Sequence, residues 1–387
     1  MTNSNETRAS LRPTTATASF GCMKCVFFPI CGGLEADAGH YDCFDLCKGN
    51  CSSCDNICPH NSQFPHWLAQ VRGLRFDNLK GIEQHEASVP LYVPKVQHGY
   101  SRCIPLEWPV VAISTYELFH RNRHGHYTTT FTSGAQLRRH FVLDTKTRII
   151  LTGVAADKHV ERYWAHRRRD RAPQQLANLG IDLVIGPNFS HFLDVPRTDN
   201  LFNRKRQLIC LEELSEAGVS PVPTLSAVRP RDWAFWRKYL AQNPTITFVA
   251  AEFQTGNKKK AEAVRVLKRI AQIQHDIGRA LHIILIGGGR FLEEASSRFA
   301  DITVIDSRPF MACVKRQGLR FSDANARCFP CPTAAGAPID DLLLLNLAGY
   351  SKWIDGRARR SRQNTSRPTR SRGRTFSRRP QIRSSVV

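Results

Sequence analysis

Residues 282–306 read HIILIGGGRFLEEASSRFADITVID. An unbroken apolar run, Ile283 to Ile286, stops at three glycines. A helix pattern over Phe291–Phe299 follows, and then a second apolar run reaches Asp306. Short Ile/Leu/Val runs without polar alternation fit strands buried on both faces, as in a parallel sheet. The stretch therefore predicts a parallel strand–helix–strand unit, with strands over His282–Gly287 and Ile302–Asp306.

Working outward, the same kind of run recurs at Val110–Thr115, Arg148–Ala155, Asp182–Gly186, Pro221–Ala227 and Thr247–Phe253. Amphipathic helix patterns lie between them. Lys258–Gly278 is the clearest: Val264, Leu267, Ile270, Ile273 and Ile277 recur every three or four residues, and Gly278 stands where a helix would stop. Asp199–Ala217 and Arg231–Ala241 are two more. Seven such repeats within 105–350 predict an α/β fold of the (β/α)8 TIM-like barrel type. Its eighth strand lies at Leu91–Val96 or after Cys331. A doubly wound open sheet is the alternative. Gly287-Gly288-Gly289 begins like a dinucleotide fingerprint, but residue 292 is Leu where that motif needs Gly.

Ahead of this region the composition changes. Residues 1–20 read as a disordered leader without the apolar core of a signal peptide. Residues 67–104 read as a connector with a short helix at Trp67–Leu74. Between them, residues 21–66 hold Cys22, Cys25, Cys31, Cys43, Cys47, Cys51, Cys54 and Cys58, eight of the chain's 13 cysteines. Dense thiolates in a chain without a secretion signal point to a bound metal. Cys47 to Cys58, followed by Pro59, is similar to the bacterial ferredoxin run C-x2-C-x2-C-x3-C-P with its first gap one residue longer, which predicts an iron–sulfur cluster, 4Fe-4S. Zinc is the alternative, with His40 and His60 as spare ligands; a disulfide framework is a third reading. Cys47, Cys51 and Cys54 also spell the C-x3-C-x2-C of radical S-adenosylmethionine enzymes, with Ser53 where that family has an aromatic residue.

The chain carries a net charge of +22 over 387 residues. Arg357–Val387 has 11 Arg and no Asp or Glu, so residues 351–387 read as a disordered basic tail. His166 to Arg171 and Arg204-Lys205-Arg206 add basic runs, read as solvated helix faces that join the tail in a track for phosphates. A polyanionic partner, DNA or RNA, follows from this balance. No apolar run is long enough for a membrane helix, which suggests a cytoplasmic protein. Composition leaves the oligomeric state open.

In a barrel, chemistry gathers at the C-terminal ends of the strands. Those ends offer Asp157, Asn188, Ser190, Ser226, Glu252, Gln254, Gly287, Gly288, Gly289, Asp306 and Arg308. Asp306 and Glu252 are the candidate catalytic carboxylates, as nucleophile or general base. Asn188, Ser190, Gln254 and Arg308 are candidate substrate contacts, and the three glycines a candidate phosphate cradle before a helix.

Several stretches resemble an uncharacterised family of prokaryotic and phage domains: Gly186-Pro-Asn-Phe-Ser190, Asn203-Arg-Lys-Arg206, Asp232-Trp-Ala-Phe-Trp236, Glu252-Phe-Gln-Thr-Gly256 and Ile305-Asp-Ser-Arg-Pro-Phe310. Leu285 to Pro309 is also similar to the late strands of the tRNA-guanine transglycosylase barrel, whose relatives insert 7-deazaguanine bases into DNA. That resemblance implies base exchange, with Asp306 attacking the sugar C1′ and Glu252 near the incoming base. The family's early-strand aspartate has no counterpart, since Ile113 to Glu117 offers only Glu117, and its zinc set is incomplete around Cys328 and Cys331. The alternatives are a nucleic-acid-binding protein without enzymatic activity and a radical or redox iron–sulfur enzyme.

Overall fold

The computed structural model describes residues 61–366 apart from 194, 196, 324 and 335, together with 54, 56–58 and two short strands at 34–36 and 39–41. The expected leader, most of the cysteine segment and the end of the tail lie outside the described residues.

In chain order the strands are β1 (Leu34–Ala36), β2 (Gly39–Tyr41), β3 (Tyr92–Pro94), β4 (Val110–Ser114), β5 (Phe119–Arg121), β6 (Tyr127–Thr129), β7 (Arg148–Thr152), β8 (Leu183–Ile185), β9 (Pro221–Val222), β10 (Phe248–Glu252), β11 (His282–Ile286), β12 (Ile302–Asp306), β13 (Gln317–Phe321) and β14 (Ala326–Pro330). The helices are α1 (Phe64–Val71), α2 (Gly134–His140), α3 (Asp157–His166), α4 (Ala172–Ala177), α5 (Arg197–Glu216), α6 (Pro230–Gln242), α7 (Lys260–Asp276), α8 (Leu292–Ser296), α9 (Arg308–Val314) and α10 (Asp340–Ser366).

The result is a mixed α/β fold with two four-stranded parallel sheets, ordered β4-β7-β8-β9 and β10-β11-β12-β3. All seven strands anticipated from apolar runs are present, and β3 within Leu91–Val96 is the eighth. The two sheets meet at two seams. One is the isolated parallel bridge Lys95↔Ala112, where the Val96 N–H donates to the Ala112 carbonyl at 2.9 Å. The other is Thr224↔Ala250, flanked by Leu225 N–H to Ala250 O and Ala250 N–H to Pro223 O, each 2.8 Å. The Gln84 side chain reinforces this second seam. Its amide donates to the carbonyls of Pro221 and Phe248 at 2.9 Å each, and its oxygen accepts from the N–H groups of Thr247 and Phe248.

Because successive side chains in a strand point to opposite faces, each sheet feeds two apolar clusters. One takes a residue from every parallel strand: Val93, Val110, Ile150, Leu183, Val222, Ala250, Ile284 and Ile305. The other takes the alternate residues, such as Tyr92, Val111, Leu151, Val249, Leu285 and Val304, and packs them under the helices. On α7 the buried stripe is Ala263, Val266, Leu267, Ile270 and Ile273, so Val266 rather than Val264 faces inward. Full burial of such a Leu or Ile contributes about 1.5–3 kcal/mol.

Three expectations need correction. Arg204, Lys205 and Arg206 do not lie on a solvated face; all three are buried. One side of α5 packs on the sheet and the connector covers the other: Arg72 pairs with Glu212 at 2.9 Å, Lys80 with Glu216 at 2.7 Å, and the Lys205 ammonium donates to Arg75 O and Asn78 Oδ1. The basic tail does not begin at 351, because α10 continues to Ser366 and buries Trp353, Ile354 and Ala358. The helix expected over Phe291–Phe299 is shorter, a 3-10 turn at Gly289–Phe291 followed by the five-residue α8. Three antiparallel hairpins, β1–β2, β5–β6 and β13–β14, were not anticipated.

Candidate functional site

Asp306 ends β12 and is 8% exposed. Ile305 belongs to the inner cluster, so the strand pleat turns Asp306 to the opposite face, toward α10. There its Oδ1 accepts the Arg308 N–H at 2.8 Å, and its Oδ2 accepts the Tyr350 hydroxyl at 2.7 Å. Burial, and then the Asp306 charge, push the Tyr350 hydroxyl well above its ordinary range, so it stays a donor. Gly289 makes this contact possible: a Cβ there would stand 2.7 Å from the Tyr350 oxygen. Gly287 adopts φ +70°, and the Gln254 side chain lies across it.

Beside this carboxylate opens a cavity of about 300 Å³ lined by Gln254, Lys258, Gly287, Arg290, Asp306, Arg308, Asn325, Tyr350 and Trp353. Three cationic side chains thus share one small space with one held carboxylate. Trp353 gives the wall an indole, anchored by its N–H to the Ser322 carbonyl at 2.7 Å.

The structure brings together Asp306, Arg308, Gln254 and Gly287 from the expected set. Gly288 packs behind them against Phe253 and Leu285, and Gly289 backs Tyr350. The Gly287 N–H is spent on Ile305 O at 2.8 Å, and the helix that follows is barely more than a turn. The three glycines thus serve close packing, ahead of a 3-10 turn and a five-residue helix. Glu252 stands apart. It shares the strand face of Ala250, an inner-cluster residue, and its carboxylate closes its own loop, accepting from the N–H groups of Gln254 and Thr255 and from the Thr255 hydroxyl at 2.9 Å. Asn188 and Ser190 follow β8 in the other sheet, where Asn188 accepts from Ser226 at 3.2 Å and Ser190 donates to Asp157 at 2.7 Å. None of the three lines the cavity.

Sequence reasoning missed Tyr350, Trp353, Lys258 and Arg290. Tyr350 lies 44 residues from Asp306 and arrives on a different element, so no local pattern joins them.

The metal assignment is overturned. Among the described residues no group of three or more His, Cys, Asp or Glu side chains could hold an ion. Cys22, Cys25, Cys31, Cys43, Cys47 and Cys51 lie outside the described residues. Around Cys54 and Cys58 the backbone is held by Asn61: its amide donates to Cys54 O at 2.8 Å and Asn56 O at 3.1 Å, and its N–H to Cys58 O at 2.9 Å. Neither the iron–sulfur cluster nor the zinc alternative is retained, and with them goes the reading as a metalloprotein. Upstream of Cys328 and Cys331, Cys313 is buried and accepts from Asn346 Nδ2 at 3.0 Å.

Among the described residues no helix is long and apolar enough to cross a membrane. Compared with protein families and with characterised proteins, the chain matches none.

Proposed function

We propose that the Asp306 cavity binds a nucleotide unit of a nucleic acid. One observation carries the reading: a buried carboxylate, fixed by a tyrosine hydroxyl, shares a 300 Å³ cavity with Lys258, Arg290 and Arg308 at the C-terminal ends of β10, β11 and β12. The cations suit a phosphate. The carboxylate suits a sugar hydroxyl or the anomeric carbon, and Trp353 and Gln254 suit the face and edge of a base. The net charge of +22 favours the same class of partner.

The two parallel sheets read together as one (β/α)8 barrel. The two seams and the cluster shared by all eight parallel strands support this, and it puts the cavity at the rim where barrels carry their chemistry. The similarity to the transglycosylase strands extends the proposal to the role of Asp306: attack on C1′, with the C1′–base bond breaking and the base leaving. No metal enters this scheme, and Glu252, on the other face of the sheet, has no part in it.

The test is Asp306→Asn in the full chain, read by fluorescence anisotropy with labelled oligonucleotides and by denaturing gels for a protein–nucleic-acid adduct. Retained affinity with loss of an adduct seen in the wild type supports attack by Asp306. Unchanged affinity when Arg308 and Arg290 are both made alanine refutes the nucleotide pocket.

A further inference from the structure

A second cavity, about 680 Å³, adjoins the first and shares Lys258 and Arg290 with it. One stripe of α10 walls both: Tyr350 and Trp353 face the first, Arg357 and Ser361 the second. These positions recur at three- and four-residue steps, so they stand one above another on a single helix face. The second cavity also contains Glu293, Glu294 and Asp323, but each carboxylate has an arginine. Glu293 pairs with Arg357 at 3.2 Å, Glu294 with Arg298 at 3.0 Å and Asp323 with Arg360 at 3.2 Å. Those pairs leave Lys258 and Lys260 as the cations available to an incoming anion, with Arg290, which already donates to the Lys258 carbonyl, adding its charge beside them.

We infer that this second cavity holds the backbone phosphates of the nucleotides next to the one bound at Asp306, so that the ligand is a single strand running along α10. The inference rests on the nucleotide-binding reading of the first cavity and names the polymer it belongs to. An open groove of this volume has room for a short chain of nucleotides, and α10 forms one wall along its length. Lys260 is the diagnostic residue. It is exposed at the start of α7, lines only the second cavity and plays no part in holding Asp306.

The experiment measures anisotropy with the full chain and fluorescent single-stranded ligands of one to four nucleotides, at two salt concentrations, for wild type and Lys260→Glu. Wild type should bind the trinucleotide about tenfold more tightly than the mononucleotide. Lys260→Glu should weaken the trinucleotide about five- to tenfold, leave the mononucleotide unchanged and reduce the salt slope by about one. The basic tail is identical in both proteins and cancels from the comparison. Equal trinucleotide affinity in the two proteins overturns the inference, as does a duplex that binds with the same dependence on Lys260. A mononucleotide that fails to bind, beside a trinucleotide that still depends on Lys260, refutes the Asp306 pocket while leaving the phosphate path standing.

Discussion

Two basic clusters meet opposite fates. Arg204, Lys205 and Arg206 on α5 are enclosed by protein acceptors: Arg204 donates to Asp232 at 2.9 Å, Arg206 to Glu161 at 2.5 and 2.9 Å, and Lys205 to the connector. Lys258 and Lys260 open onto cavities instead, beside Arg290, which donates to the Lys258 carbonyl. The first cluster stabilises the fold and has nothing to offer a ligand. The second adds little to the fold and has charge to spare. Basic residues thus mark a binding surface only after the protein's own acceptors have been counted.

That contrast is open to experiment, beginning with the largest effect. Asp232 is fully buried between Arg197 and Arg204 and also accepts the N–H groups of Val228 and Arg229. Burial pushes its carboxyl up, but the two guanidiniums outweigh burial and hold it well below the usual range. Asp232→Ala leaves two buried cations without a carboxylate and should cost about 3–5 kcal/mol in urea unfolding. A cost under about 1 kcal/mol would mean that the cluster is not enclosed.

Next comes Gly289→Ala. The new methyl meets the Tyr350 hydroxyl, so overpacking should cost about 1–3 kcal/mol, and Tyr350→Phe, which takes a hydrogen bond from the buried Asp306 carboxylate, should cost about 1.5–3 kcal/mol. Thermal melts in which either variant matches wild type would contradict the packing described.

A pH effect follows at the N-terminus of α5. Burial pushes Asp199 up to about 7, although the Ile57 N–H bonds it at 2.5 Å. An unfolded Asp titrates near ~3.9. The folded state therefore prefers the protonated acid. Its stabilising contribution is full below about pH 4 and is lost as pH rises toward 7. Asp199→Asn should melt about 2–4 °C above wild type at pH 8 and alongside it at pH 4. A difference independent of pH would place the cause elsewhere.

The smallest effect on stability belongs to Lys258→Ala with Lys260→Ala. Unfolding should stay within about 0.5 kcal/mol of wild type, while the salt slope of oligonucleotide binding falls by about one per lysine. A large loss of stability would erase the difference between the clusters.

The strands were legible because parallel strands buried on both faces are continuous apolar runs, as at Ile283–Ile286 and Val110–Ile113. The character of α5 was hidden for the converse reason. Protein covers it all round, its polar residues are buried beside its apolar ones, and no amphipathic period survives to show which way it faces. At the candidate site, Asp306 could be found because it is a charge at the end of an apolar strand. Tyr350 could not, since its role depends on a long helix returning to β12. The glycines at 287–289 stood out, but their purpose was not readable: what excludes a Cβ there is Gln254, Phe253 and Tyr350, two of them in the preceding loop and one far down the chain. Cysteine spacing likewise supplied ligand types without saying whether they converge in space.

The pairing of β3 with β12 ties residues 92–94 to residues 304–306. A ribosome adding about 5–20 residues per second delivers that partner roughly 10–40 s after β3 itself. Through that interval Tyr92 and Val93, both buried at the end, have no strand to lie against on that side. That edge of the fold therefore cannot close until the chain has been made as far as β12.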